Sequence, residues 1–285
     1  MVVLEAAGAM LEASRRWRVE GRSIGLVPTM GALHAGHLSL VELARGENDI
    51  VVVSIFVNPI QFGPGEDFER YPRDLARDTR MLARAEVDAI YHPSLEVMYP
   101  RDSTTRVQVG GVAEPLEGER RPGHFEGVAT VVTKLFAAVE PDRAYFGQKD
   151  AQQVAVVQRL TRDLNLGVEV RVVPIVREPD GLALSSRNVY LDGGERKAAL
   201  ALSASLRETA TAYASGERDP DRLQAVLEAR LRVEPLVQVD YAEVVDPATF
   251  RKPAGAQSEP LAVVAARIGK TRLLDNHDLT KPFPG

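Results

Sequence analysis

Two histidines stand three positions apart in the run V-P-T-M-G-A-L-H-A-G-H-L at 27–38, where a β-branched pattern gives way to a helical one. The strand pattern ends at Val27. Pro28 and Gly31 punctuate a tight loop, His34 and His37 follow with Gly36 between them, and an amphipathic pattern runs to Arg45 before Gly46. A helix start carries unpaired N–H groups and the positive end of the helix dipole, which favour an anion such as phosphate. Gly36 has no Cβ, so a flat ring or a phosphate could approach the backbone closely. Two imidazoles could also donate hydrogen bonds to charge that builds up on phosphate oxygens. A metal is the competing reading of an i, i+3 histidine pair, but the chain has no cysteine and no third ligand stands nearby in the sequence.

Three further segments each follow a predicted strand. In F-G-Q-K-D-A-Q-Q at 146–153, Gly147 allows a sharp turn, Lys149 is one of only six lysines against 29 arginines, and Asp150 could bind a ribose hydroxyl. Taken alone, Lys149 reads as a solvated side chain and Asp150 as a helix cap. In L-S-S-R-N at 184–188, two hydroxyls and a guanidinium in an exposed loop suit a mobile phosphate clamp, although the triplet by itself is a weak signal. In V-N-P-I-Q-F-G-P-G-E-D-F-E-R-Y at 57–71, a Pro/Gly-rich loop with Gln61 near its start reads either as a lid or as an ordinary connection.

The elements that must position these residues alternate. Strand patterns at Ile24–Val27, Ile50–Val57, Asp88–Tyr91, Ala144–Phe146 and Val168–Val176 are separated by helical patterns at His37–Arg45, Leu75–Ala85, Val128–Val139 and Ala151–Leu164. That alternation predicts an α/β domain, a doubly wound parallel sheet of five strands, with ligands beyond the carboxyl ends of the strands. The last third changes character. Helical patterns at Glu195–Ser215 and Asp221–Leu231 precede alternating strands at Val237–Val245, Leu261–Ala266 and Thr271–Leu274. This is the pattern of a second, smaller α+β domain. The Pro-Asp-Gly turn in Arg177–Gly181 marks the boundary, giving domains 1–176 and 177–285.

Composition narrows the function classes. The chain has 285 residues, 45% hydrophobic and 26% charged, which excludes wholesale disorder. Its formal charge of −5 argues against a broad nucleic-acid surface while leaving room for a local phosphate pocket. Absence of cysteine removes disulfides, thiolate catalysis and Cys-based metal centres, and fits a cytoplasmic location. The longest apolar runs are strand-sized, so no membrane span or targeting segment is expected.

In their order and spacing these segments resemble the pantothenate synthetase (pantoate–β-alanine ligase) family of the HxGH nucleotidyltransferase superfamily. The stretches that carry the resemblance are P-T-M-G-A-L-H-A-G-H at 28–37, S-I-F-V-N-P-I-Q-F at 54–62, R-P-G-H-F-E-G-V at 121–128, F-G-Q-K-D-A-Q-Q at 146–153, D-G-L-A-L-S-S-R-N at 180–188 and R-L-L-D-N at 272–276. The resemblance implies a Rossmann-like nucleotide-binding domain with a smaller C-terminal lid domain, and a homodimer. It implies ATP as a substrate with magnesium, and condensation of pantoate with β-alanine through a pantoyl adenylate that releases pyrophosphate and then AMP.

Carried over by position, Met30, Gly31, Ala32, Leu33, His34, Ala35, Gly36 and His37 line the ATP site. His34 and His37 hold phosphates, and His37 is the residue the family labels a proton donor. Gly147, Gln148, Lys149 and Asp150 contact ATP, Lys149 through phosphate and Asp150 through ribose. Val176 meets the adenine by its backbone, and Leu184, Ser185, Ser186 and Arg187 close over the triphosphate. Gln61 and Gln153 bind pantoate, with Gln61 also near β-alanine. His37, His34, Lys149 and Arg187 are the catalytic set. One position departs from the family pattern: Gln148 stands where the family often has Glu. Two other readings cover part of this. A different HxGH enzyme would need an extra basic phosphate site and would leave Gln61 and Gln153 unexplained. A non-catalytic nucleotide binder would be expected to have lost one of His34, His37, Lys149 or Arg187.

Overall fold

A computed structural model describes residues 1–254 and 259–284. The chain divides into two compact units, Met1–Gly147 with Gln153–Pro174, and Gln148–Gln152 with Ile175–Gly285, whose last residue lies outside the described ones.

In chain order the first unit begins with β1 (Val2–Leu4), α1 (Ala7–Val19), β2 (Ile24–Thr29), α2 (Ala35–Glu47), β3 (Ile50–Ile55), α3 (Leu75–Arg84) and β4 (Ala89–Tyr91). Two short helices, α4 (Leu95–Met98) and α5 (Glu117–Arg120), lead to α6 (His124–Val139), β5 (Arg143–Gly147), α7 (Ala151–Asp163) and β6 (Glu169–Val173). The strands form one six-stranded sheet in the order β1-β4-β3-β2-β5-β6, every pair parallel. Ile50 to Val53 are all buried, as are Ile24 to Val27. A strand buried at successive positions has both faces covered, which is why these segments read as continuous apolar runs rather than as alternation. Val27, Val51, Val53 and Ile90 pack on one face with Leu40, Val41, Ala44 and Leu82 of α2 and α3. Helices α1 and α6 pack on one another and against β2.

The doubly wound parallel sheet is therefore present, with six strands instead of five. The extra strand, β1, lies at the edge against β4, and its Val2 and Val3 side chains are exposed. Three residues are too few to display a period. The strand expected at 168–176 stops at Val173, because Pro174 has no N–H to give a ladder.

The second unit holds α8 (Gly193–Ala214), α9 (Pro220–Arg232) and a meander of β7 (Val237–Val245), β8 (Leu261–Ile268) and β9 (Thr271–Asp278), antiparallel in the order β7-β8-β9. Asp192 and Glu195 form a capping box at the start of α8. Asp219 caps α9, with Pro220 at its first position. Gly269, at φ +57°, opens the two-residue turn that joins β8 to β9. Leu202, Leu206, Leu223 and Leu227 of the helices share one core with Ala262, Val264 and Ile268 of β8.

Candidate active site

In the parallel sheet β3 and β4 lie on one side of β2, and β5 and β6 on the other. The connections reverse direction between β2 and β5, so their carboxyl ends define the topological switch point, the usual ligand crevice of such sheets. What leaves the end of β2 is the Met30–His37 segment.

That segment is held by groups distant in sequence. The Thr29 hydroxyl donates to Ser54 O (2.8 Å) and accepts from Gly31 N (3.1 Å). Asp78 of α3, 1% exposed, accepts from Ala32 N (2.8 Å) and Leu33 N (3.0 Å). Gly31 and Ala32 both take left-handed conformations, at φ +81° and +51°. A Cβ on Gly31 would stand 3.1 Å from Asp78 Oδ2, so glycine meets both the backbone and the space requirement. Asp78 was not among the residues singled out from sequence; nothing near it in the chain points to the loop it serves.

At the helix start, His34 is the N-cap of α2. Its Nδ1 accepts from Gly36 N (3.1 Å), and His37 Nδ1 accepts from His34 N (3.3 Å). The two rings lie 4.1 Å apart, tilted by 41°. This is a capping box built from imidazoles, with a chemical consequence. An Nδ1 that accepts from a backbone N–H carries no proton, so in the neutral ring the proton is on Nε2. Each ring is thereby set as an Nε2–H donor at the positive end of a helix. The cap also explains why α2 begins at Ala35, two residues before the sequence pattern.

Gln61 sits in a short 3-10 turn, Pro59–Gln61, after β3. Its amide is oriented by neighbours. Asn58, itself buried, donates from Nδ2 to Gln61 Oε1 (3.0 Å) and to Gly127 O (3.1 Å), while its Oδ1 accepts from Tyr99 OH (2.9 Å). Burial raises the Tyr99 phenol well above its ordinary value, which keeps it a donor. Gln61 Oε1 is thus occupied, and Nε2 lies 3.3 Å from Met30 Sδ, a soft acceptor a ligand oxygen could replace.

The Gln61 carbonyl accepts from His124 Nδ1 (2.9 Å) and Arg121 Nη2 (3.3 Å), and Arg121 makes a two-pronged pair with Glu66 (2.7 Å on each arm). Burial lowers the His124 pKa to about 4, with the Arg121 charge acting in the same direction. Burial opposes ionisation of Glu66, but the hydrogen bond and charge of Arg121 outweigh it and hold the carboxyl below its usual value. The 121–128 stretch, to which the sequence alone assigns no role, thus supports the Gln61 turn. Phe62 packs edge-on against Phe68 and Tyr71, so the 61–71 loop carries an aromatic cluster of its own. Gln153 lies in the first turn of α7, half-buried.

The second unit carries the other candidate residues. Gln148–Asp150 is a 3-10 turn; the Lys149 side chain is only 20% exposed, with its Nζ 4.0 Å from Asp150 Oδ2. Val176 O accepts from Leu184 N (3.0 Å), and Glu178 N donates to Leu182 O (2.8 Å), so 176–184 folds back on itself around Gly181. Ser185 caps a second 3-10 turn, Ser186–Tyr190, its Oγ accepting from Arg187 N (3.2 Å). Asn188 donates to Glu178 Oε1 (2.9 Å) and Ala183 O (3.1 Å), and Arg196 clamps Glu178 (2.9 and 2.8 Å). The exposed loop expected at 184–188 is instead a half-buried turn anchored by Asn188. Among the described residues, no three His, Asp or Glu side chains are grouped to hold a metal ion.

Comparison with known proteins bears on this arrangement. The family model for pantoate-beta-alanine ligase matches residues 2–278. The pantothenate synthetase of Thermotoga neapolitana is 53% identical over 276 residues, 97% of this chain and 99% of that protein. That of Roseiflexus sp. is 56% identical over 252 residues, 88% and 91% of the two chains. A crystal structure of pantothenate synthetase from Thermus thermophilus superposes with a TM-score of 0.93 at 47% identity, covering 98% of this chain and 99% of that one. The pantoate-beta-alanine ligase of Francisella tularensis, solved with beta-gamma ATP and beta-alanine, gives a TM-score of 0.81 at 32% identity over 99% and 98% of the two chains.

Proposed function

The chain belongs to the pantoate–β-alanine ligase family, and we propose that its imidazole-capped helix start serves the adenylation half of that family's reaction. The enzyme joins pantoate to β-alanine at the expense of ATP. In the first step a pantoate carboxylate oxygen bonds to the α-phosphorus of ATP, and the bond from that phosphorus to the bridging oxygen breaks, releasing pyrophosphate. In the second, the β-alanine amine attacks the acyl carbon, the acyl–oxygen bond breaks, AMP leaves and the amine proton passes to solvent. Activation on the nucleotide is needed because a carboxylate is a poor electrophile, whereas AMP is a good leaving group. No protein nucleophile is required, so the task of the chain is alignment and charge compensation.

The observation that carries this reading is the reciprocal cap of His34 and His37, which sets two Nε2–H donors at a helix N-terminus beyond the end of β2. Those donors suit phosphate oxygens on which charge rises in the transition state, with His37 in the role of proton donor. The backbone of Met30–His37 and Gly147 serves ATP in the first unit. In the second unit Lys149 and Arg187 supply cationic charge to phosphate, Ser185 and Ser186 supply hydroxyls, Asp150 takes the ribose, and Val176 takes the adenine by its backbone. Gln61 and Gln153 bind pantoate. With Oε1 held by Asn58, Gln61 meets the substrate as a donor, suited to a hydroxyl or carboxylate oxygen.

Magnesium would come with ATP and would add to the charge compensation that Lys149 and Arg187 supply to phosphate. No described helix is long and apolar enough to cross a membrane. A homodimer in the cytoplasm completes the proposal and rests on the family resemblance. The test is product balance. ATP, pantoate and β-alanine should give AMP and pyrophosphate in equal amounts, one of each per amide formed. ADP and phosphate as products would refute the adenylate chemistry.

A further inference from the structure

Lys149 lies in a turn gripped by one side chain of β9. Asn276, 3% exposed, donates from Nδ2 to two successive carbonyls, Gln148 O (2.9 Å) and Lys149 O (3.0 Å). The first of those carbonyls belongs to the peptide plane before the Lys149 Cα, and the second to the plane after it. Peptide planes are rigid, so holding both fixes φ and ψ of Lys149 together, and with them the bond that launches its side chain. A primary amide suits the task because its two hydrogens lie in one plane on one atom.

The amide is itself held in place. Gln148 Nε2 approaches Asn276 Oδ1 at 3.5 Å, and Asn276 N donates to Asp275 Oδ1 (2.8 Å). Asp275 is buried against Arg177 in a two-pronged pair (2.6 and 2.9 Å), and the Arg177 guanidinium rests 4.9 Å from the Phe283 ring centre. A strand position in a core needs only a side chain that packs. A buried amide and a buried ion pair are costly without partners, so their presence at adjacent positions points to what they hold.

We infer that Asn276, steadied by the Asp275–Arg177 pair, is a positioning residue for adenylation: it sets the Lys149 ammonium for the charge that develops on ATP phosphate. The inference rests on the phosphate role of Lys149 given above. Asn276 touches no reacting atom and acts through the Lys149 backbone.

The test is a double-mutant comparison of pantoate-dependent adenylation in the full-length enzyme. Asn276→Ala should lower kcat by about 10- to 100-fold, the usual effect of a group misplaced by roughly an ångström, with the pantoate KM unchanged. In a Lys149→Ala background the same substitution should add little, because the group it positions is already gone. Asn276→Asp keeps the volume and serves if the alanine variant does not fold. It sets a carboxylate against two carbonyls and should lose at least as much rate. Wild-type kcat in folded variants, or a full loss repeated in the Lys149→Ala background, would overturn the inference while leaving Lys149 its role. A Lys149→Ala enzyme with wild-type rate would overturn the phosphate reading of Lys149, and the inference with it.

Discussion

His34 and His37 each spend Nδ1 on a backbone N–H, so cap and chemistry share one ring. Removing His37 takes away one cap bond, worth about 1 kcal/mol or less of stability, and one donor to developing charge, worth a factor of about a hundred to a thousand in rate. His37→Ala should therefore melt within a few degrees of the parent while its adenylation rate collapses; a folded variant with near-normal rate would remove His37 from the mechanism. His124 offers a contrasting histidine. Burial and the Arg121 charge lower its pKa from 6.5 to about 4. Between those values the unfolded chain binds a proton that the folded one refuses, so stability rises with pH across that window and is level above it. Acidification from pH 6.5 to 4 should remove about 3 kcal/mol through this group, seen as a falling denaturation midpoint. His124→Asn should flatten that part of the profile. An unchanged slope in the variant would place the acid sensitivity elsewhere. Because the folded ring stays neutral across that window and its Nδ1 still donates to Gln61 O, the pantoate KM should stay level there while the protein remains folded.

Helix α6 and the Pro59–Gln61 turn meet where there is no room for a side chain. A Cβ on Gly127 would lie 2.5 Å from Ile60 O and 2.7 Å from Gln61 Cα. Gly127→Ala should displace the turn at a cost of about 1–3 kcal/mol and raise the pantoate KM, with the ATP KM nearly unaltered. Equal losses for both substrates, measured by initial rates, would mean that the Gln61 turn does not belong to pantoate alone. Elements such as α2, β2 and β3 were legible because their signals are local: a β-branched run, a Gly and Pro break, a polar helix start. Strand β1 has three residues and two exposed valines, and α1 has Ala6 as its N-cap with no side-chain cap bond, so neither carries a local signal. Of the supports of the site, Arg121, His124 and Asn276 lie in stretches that carry the family resemblance but no role of their own, and Asp78 lies in none. Asp78 reaches its loop across 45 and 46 positions, Arg121 and His124 reach Gln61 across 60 and 63, and Asn276 reaches Lys149 across 127. A side chain chosen for a partner so remote leaves no pattern in its own neighbourhood. Spacing brought out His34, His37 and Lys149, but not what holds them.

At the scale of the molecule, each unit presents its candidate residues from backbone held by buried polar groups: Asp78 under the Met30–Leu33 loop in one, Asn276 under Lys149 in the other. Such preorganisation suits a reaction in which no bond to the protein forms, since the rate then comes from groups already placed when charge shifts. In the proposed mechanism the acyl group is activated on the nucleotide before any amine attacks. The most direct measurement is exchange of labelled pyrophosphate into ATP. With pantoate and magnesium present and β-alanine absent, label should enter ATP at a rate comparable to turnover, and with β-alanine in place of pantoate it should not enter. Exchange that appears only when β-alanine is added to pantoate would mean that the three substrates react in one concerted complex, and the stepwise adenylate would be wrong.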